Sequence, residues 1–213
     1  MTRSGRFIVL EGIEGAGKSS HAALVRELIE SAGHVAELTR EPGGTPLAEA
    51  IRELLLHARE GDGMPAMTEL LLMFAARAAH LEQRIRPALQ QGRWVISDRF
   101  TDASYAYQGA GRGIAAERIA EIEAAVQGGL RPDLVLLFDV PPETGLARAR
   151  RRSGADRFES EQLEFFGRAR ACYLDRAAAE PRRYRVLDAA APLADVQAEL
   201  RRVMKEWLTQ HAG

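Results

Sequence analysis

The sequence predicts a three-layer α/β/α fold: one domain with a five-stranded parallel sheet. Three observations lead there. Five short apolar runs alternate with longer stretches of helical spacing, and strand–helix alternation implies right-handed crossovers and parallel strands. The run Leu134-Val135-Leu136-Leu137-Phe138 is unbroken, as in a strand buried on both faces. The 213 residues are 46% hydrophobic and 28% charged, an ordinary globular balance that excludes disorder, and no Pro/Gly/Ser linker divides them.

Taken in order, Phe7–Leu10 is the first strand, followed by a glycine-rich loop and a helix whose stripe is Leu24, Val25, Leu28 and Ile29. His34–Thr39 is the second strand, and Leu47–His57 reads as a helix. On the next helix Leu70, Met73, Phe74 and Arg77 share a face. Trp94–Ser97, Leu134–Val140 and Tyr184–Leu187 complete the sheet. Ligands of such sheets bind beyond the carboxyl ends of the strands. The unusual residues fall there.

Gly12-Ile13-Glu14-Gly15-Ala16-Gly17-Lys18-Ser19 matches GxxxxGK[ST] between a strand and a helix. The glycines let the backbone turn its N–H groups toward phosphate oxygens, and the helix adds the positive end of its dipole. Lys18 supplies a point charge between the β- and γ-phosphates, and the Ser19 hydroxyl is a Mg²⁺ ligand. The motif points to a nucleoside triphosphate without saying what is done with it. Asp98 follows the strand Trp94–Ser97, where a carboxylate can reach the Mg²⁺ of a neighbouring phosphate loop. Arg99, beside it, can clamp a second phosphate bidentately. Asp139 ends another strand and has two readings, a metal carboxylate or a cap for the helix that follows.

Charge narrows the partners. The 29 Lys plus Arg against 30 Asp plus Glu leave a net charge of -1, which disfavours nucleic-acid binding. The single cysteine, Cys172, allows no internal disulfide and no Cys-based zinc site. Phe7–Leu10 is too short for a signal peptide or membrane span, so the expected location is the cytoplasm.

Six segments occur in the order and spacing of the bacterial thymidylate kinases. They are Gly12–Ser19, Thr39-Arg40-Glu41-Pro42-Gly43-Gly44-Thr45, Phe74-Ala75-Ala76-Arg77, Asp98-Arg99-Phe100, Tyr107-Gln108-Gly109-Ala110-Gly111-Arg112-Gly113 and Asp156-Arg157-Phe158-Glu159. The chain resembles that family over nearly its whole length. The resemblance implies a P-loop nucleoside monophosphate kinase that moves a phosphoryl group from ATP to dTMP with Mg²⁺, in dTTP supply for DNA synthesis. It also implies a homodimer.

The implied ATP site runs over Gly12, Ile13, Glu14, Gly15, Ala16, Gly17, Lys18, Ser19 and Ser20, with Ser19 and Asp98 as metal ligands. For the acceptor, Phe74 would stack on thymine and Arg77 would donate to its O4, which cytosine replaces with an amino group. Ser104 and Gln108 resemble contacts to the base edge, and Tyr107 resembles an aromatic that disfavours a ribose 2′-OH. Arg52 and Arg99 would hold the acceptor phosphate. Glu14 would touch the sugar 3′-OH or position Arg99. Arg40 and Glu41 read equally as an ion pair and as direct ligands. The phosphate loop lacks an arginine, and the expected lid, Pro141 to Glu159, carries Arg148, Arg150, Arg151 and Arg152. Arg148 and Arg152 share a helix face and are the candidates to reach the transferring phosphoryl group. Ala110 departs from a common Gly, and Tyr105 has no assigned role. The rivals are a kinase for another nucleotide and a nucleotide-dependent switch. The pairing of Arg52 with Arg99 argues against the switch.

Overall fold

The computed structural model describes residues 5–57, 63–151, 158 and 161–211. Five strands form one parallel sheet in the order β2-β3-β1-β4-β5: β1 (Phe7–Glu11), β2 (Ala36–Arg40), β3 (Trp94–Asp98), β4 (Leu134–Asp139) and β5 (Tyr184–Asp188). In register, Leu10 lies beside Asp98 on one side and Leu136 on the other. This brings the carboxyl ends of three strands to one edge, where the chain turns into α1 (Lys18–Ser31).

Alternation along β1 separates two cores. Ile8 and Leu10 join Trp94, Ile96 and the α9 (Leu193–His211) residues Leu200, Val203, Met204 and Trp207 on one side. Phe7 and Val9 join Val95, Phe100, Leu81 and Ile85 on the other. Both faces are covered, which is why the central strands read as continuous apolar runs rather than alternating ones. Fully burying a side chain of this size stabilises the fold by about 1.5–3 kcal/mol.

The remaining helices frame the carboxyl edge. α2 (Pro46–Leu56) starts at Thr45, whose hydroxyl accepts from the Ala48 amide at 3.3 Å, with Pro46 in the first turn. α3 (Ala66–His80) packs on α2 and continues through a π-helical turn, Leu81–Ile85, into α4 (Arg86–Gln90). α5 (Thr101–Ser104) runs into a second π-helical turn, Tyr105–Gly111. Then come α6 (Ala116–Gln127), α7 (Pro142–Arg150) and α8 (Leu163–Ala179).

The second strand starts at Ala36, two residues after the expected His34. The imidazole of His34 instead stacks on Trp94, centroids 4.4 Å apart. Asp98 lies inside its strand rather than after it, because ladder pairing continues to that position, and the fourth strand ends at Asp139, one residue short of the expected Val140. Neither π-helical turn is foreshadowed by apolar spacing. Of the expected lid, α7, Arg151 and Phe158 are described; Arg152, Asp156, Arg157 and Glu159 lie outside the described residues.

Candidate active site

The glycine-rich loop joins β1 to α1. Gly17 precedes α1 at φ 89°, a left-handed conformation that favours glycine. Gly15 meets α7 so closely that a Cβ there would lie 1.8 Å from the Gly145 carbonyl oxygen. Lys18 is buried, and its Nζ donates to the carbonyls of Gly12 at 2.9 Å and Ile13 at 3.1 Å. Burial pulls its ammonium below the ordinary lysine value and Arg99 adds to that, while Asp98, Glu14 and Glu11 oppose.

Ser19 Oγ donates to Asp98 Oδ2 at 2.7 Å. The pair joins the first turn of α1 to the end of β3 and sets two hard oxygen donors beside the loop, a donor set suited to Mg²⁺. Asp139 does not cap the helix that follows. Its carboxylate receives Arg170 bidentately, at 2.7 and 2.8 Å.

Arg99 is the one described non-glycine residue with positive φ, 72°. The conformation is over-determined, because its N–H donates to the Leu10 carbonyl at 2.9 Å and its own carbonyl accepts from Ser97 Oγ at 2.7 Å. All four terminal N–H groups of its guanidinium are engaged. Nη1 donates to the Gly12 carbonyl at 2.9 Å and the Tyr173 hydroxyl at 3.2 Å. Nη2 donates to Glu14 Oε1 at 2.6 Å and the Tyr107 hydroxyl at 2.9 Å. Burial works against its charge, yet Glu14, Tyr107, Tyr173 and Asp98 outweigh it and hold the group above the usual arginine value. Glu11 lies beneath, fully buried. Its two oxygens accept from the Phe100 amide and the Tyr173 hydroxyl, each at 2.8 Å. Burial, then Asp102, push its carboxyl up to about 8, against Arg99 and those two donors.

These groups edge a cleft of about 250 Å³, whose walls include Glu14, Lys18, Ser19, Arg52, Asp98, Arg99 and Tyr107. Arg52 reaches it from α2 and donates to the Pro42 carbonyl at 2.9 Å. Phe74, Arg77, Ser104 and Gln108 lie behind the wall, each at most 2% exposed. Arg77 stacks on Phe74 at 4.5 Å and donates to Glu41 Oε2 at 2.7 Å, and to the Phe100 carbonyl and Ser104 Oγ at 3.1 Å. Gln108 Nε2 donates to Glu69 at 2.7 Å. Of the buried atoms left without a hydrogen-bond partner among the described residues, two belong to these side chains: Arg77 Nη1, a donor, and Gln108 Oε1, an acceptor. Arg40 and Glu41 do not pair with each other. Arg40 bonds Glu49 at 3.0 Å, while Glu41 holds Arg77 and His80.

A second cavity of about 280 Å³ lies across the loop, bordered by Ala16, Ser20, His21, Arg148, Ala189 and Leu193. Arg148 is turned into it, donating to the carbonyls of Ala189 at 2.6 Å and Ala190 at 3.4 Å. The structure thus sets Arg148 beside the β5–α9 connection, whereas Arg152 lies outside the described residues.

A family model described as thymidylate kinase matches residues 10–200. The chain belongs to the thymidylate kinase family. It is 58% identical over 210 residues to the thymidylate kinase of Pseudomonas syringae pv. tomato, covering 99% of this chain and 100% of that one. It is 56% identical over 203 residues to that of Alcanivorax borkumensis, covering 95% and 97%. Among solved structures, the crystal structure of thymidylate kinase from Ehrlichia chaffeensis superposes with a TM-score of 0.76 at 33% identity, covering 95% of this chain and 99% of that one.

As a member of the thymidylate kinase family, the chain holds its motif residues on one sheet edge. Lys18, Ser19, Asp98, Arg52 and Arg99 share one cleft. Phe74, Arg77, Ser104 and Gln108 are all buried. Motif reading missed two residues that brace this cleft from beneath, Glu11 at the Phe100 amide and Tyr173 at Arg99. Glu11 carries a signal, a carboxylate inside an apolar strand just before Gly12. Tyr173 carries none, because it reads as one more apolar position of α8. Tyr105 acquires a place: its hydroxyl bonds Glu123 at 2.6 Å and Arg176 stacks on its ring at 3.9 Å.

Proposed function

We propose that the protein transfers the γ-phosphoryl group of ATP, with Mg²⁺, to the phosphate of dTMP, giving dTDP and ADP. The observation that carries this reading is a single cleft lined by Lys18, Ser19 and Asp98 together with Arg52 and Arg99. A phosphate loop alone accommodates one polyphosphate, and two further arginines call for a second phosphate group in the same cleft.

An oxygen of the acceptor monoester attacks the γ-phosphorus, the bond to the bridging β-oxygen breaks, and ADP leaves. The monoester has its second pKa near ~6, so it is mostly dianionic at pH 7 and needs little general-base help. The residues then act by alignment and charge neutralisation. The loop N–H groups and Lys18 take the donor phosphates. Ser19 and Asp98 would hold the magnesium ion, which supplies further charge neutralisation when bound. Arg52 and Arg99 orient the acceptor phosphate, and Glu14 pairs with Arg99 until that phosphate arrives. Arg148 borders the second cavity, beside the β5–α9 connection, and Arg152 is the candidate to reach the transferred group.

Acceptor choice follows from the two unpartnered buried atoms. Thymine offers O4, an acceptor, and N3–H, a donor. Arg77 Nη1 and Gln108 Oε1 offer the opposite of each. Cytosine presents the wrong polarity at both positions. Phe74 supplies the aromatic face, and Tyr107 and Ser104 border the sugar and base.

Two further readings rest on the surface and the composition. Leu47 and Leu54 on α2, and Met67 and Leu71 on α3, are 42–60% exposed on adjoining helices, a face suited to a homodimer. A cytoplasmic location fits the lone cysteine, and no helix among the described residues is long and apolar enough to cross a membrane.

The test is ³¹P NMR of the protein with MgATP and dTMP. The reading expects a dTDP β-phosphorus signal that grows with ADP and is abolished by chelating the magnesium. Release of ADP and inorganic phosphate at the same rate without dTMP would replace the kinase with a nucleotide hydrolase.

A further inference from the structure

We propose that Tyr173, on α8, is a positioning residue that anchors one edge of the Arg99 guanidinium and leaves the other edge free to exchange partners with the acceptor phosphate. The inference rests on the reading of Arg99 as the ligand of that phosphate.

The four bonds of Arg99 divide by direction. Nη2 faces Glu14 and Tyr107, both on the cleft wall. Nη1 faces the Gly12 carbonyl and the Tyr173 hydroxyl, neither of which borders the cleft. An arriving phosphate meets the Nη2 edge and competes there. The Nη1 edge stays fixed to the protein, so the fork keeps its orientation while one side changes hands.

Tyr173 suits this task because its own proton is committed. The ring is 1% exposed and packs in the main core beside β4. Its hydroxyl donates to Glu11 Oε2 at 2.8 Å, so its oxygen presents lone pairs toward Arg99 Nη1 at 3.2 Å. Burial, then Glu11, hold the phenol well above its ordinary pKa, so it stays a neutral donor. Glu11 is in turn fixed by the Phe100 amide, one residue after Arg99. The chain Phe100–Glu11–Tyr173–Arg99 thus closes on itself and joins α8 to β1 and the end of β3.

The test is a cycle of Tyr173→Phe, Arg99→Lys and the double variant, read as kcat and KM for dTMP and for ATP. Tyr173→Phe keeps the ring and removes only the hydroxyl. It is expected to lower kcat/KM for dTMP about tenfold and leave KM for ATP within about twofold. In the Arg99→Lys background the same change is expected to cost less than about twofold, because an ammonium has no second edge to anchor. An equal loss in both backgrounds, or no loss in either, overturns the proposal.

Should Tyr173→Phe fail to fold, the ¹⁵N guanidinium spectrum of the unmodified protein decides. Separate, slowly exchanging Nη1 and Nη2 signals of Arg99 are expected, with only Nη2 shifting on addition of dTMP. Averaged Nη signals in the nucleotide-free protein overturn the anchor. An unmodified protein that phosphorylates no dTMP overturns the functional reading instead, and the nucleotide-free spectrum still judges the anchor.

Discussion

Glu11 stands at the end of a strand, 0% exposed, with Asp102 adding repulsion, while Arg99, the Phe100 amide and the Tyr173 hydroxyl soften the burial without offsetting it. A carboxyl raised from 4.5 to about 8 binds its proton more tightly in the folded chain than in the unfolded one. Its contribution to stability is complete below pH 4.5 and is lost progressively as pH rises toward 8. Glu11→Gln removes that titration. The urea midpoint of the native protein should therefore fall more steeply between pH 5 and pH 8 than that of Glu11→Gln. Parallel slopes would mean that the carboxyl is not raised. Arg77 shows the same economy of buried polar groups: Glu41, Phe100 and Ser104 fix its orientation, and the fork is left with one unpartnered donor.

At the scale of elements, the phosphate loop and α7 approach through two glycines. A Cβ on Gly145 would lie 2.4 Å from the Glu14 carbonyl oxygen, a backbone atom that cannot turn aside. Gly145 is helical, so Ala there should favour α7 by about 1 kcal/mol from propensity alone. Gly145→Ala is nevertheless expected to lower kcat by about tenfold or more, because the loop that carries Glu14 must shift. An unchanged kcat, measured with both nucleotides saturating, would show that the contact is compliant. Strands were the most legible elements in the sequence. Leu134–Phe138 reads as a strand buried on both faces and is one, and the helix expected over Leu47–His57 runs over Pro46–Leu56. The π-helical turn over Tyr105–Gly111 was not legible, since it disrupts the 3.6-residue spacing that periodicity detects. The motif residues Lys18, Ser19, Asp98 and Arg99 were legible because phosphate chemistry restricts which side chains serve. Phe74 was not separable from core packing by spacing alone, and in the folded chain it is both buried and stacked on Arg77. Tyr173 was invisible because its partners lie 74 and 162 residues away.

At the scale of the molecule, the sheet edge gathers Lys18, Ser19, Asp98 and Arg99 while α2 and α3 turn an apolar face outward. Leu54 is 60% exposed and Leu71 52%, on two helices that also carry Arg52 and Arg77 into the site. Association through that face would stiffen the acceptor wall of the cleft. Leu54→Glu combined with Leu71→Glu should move the sedimentation coefficient from that of a dimer to that of a monomer and raise KM for dTMP more than KM for ATP. A native protein that sediments as a monomer at micromolar concentration contradicts this assembly.

The central claim is that a buried donor and acceptor, Arg77 Nη1 and Gln108 Oε1, select the thymine edge of the acceptor. It is tested most directly by the ratio of kcat/KM for dTMP to that for dCMP in the unmodified protein. A site whose buried polar groups are left unpaired by the wrong base should discriminate by about 10³-fold or more. A ratio near one, with efficient turnover of both, would leave the phosphate machinery intact and contradict the assignment of those two residues.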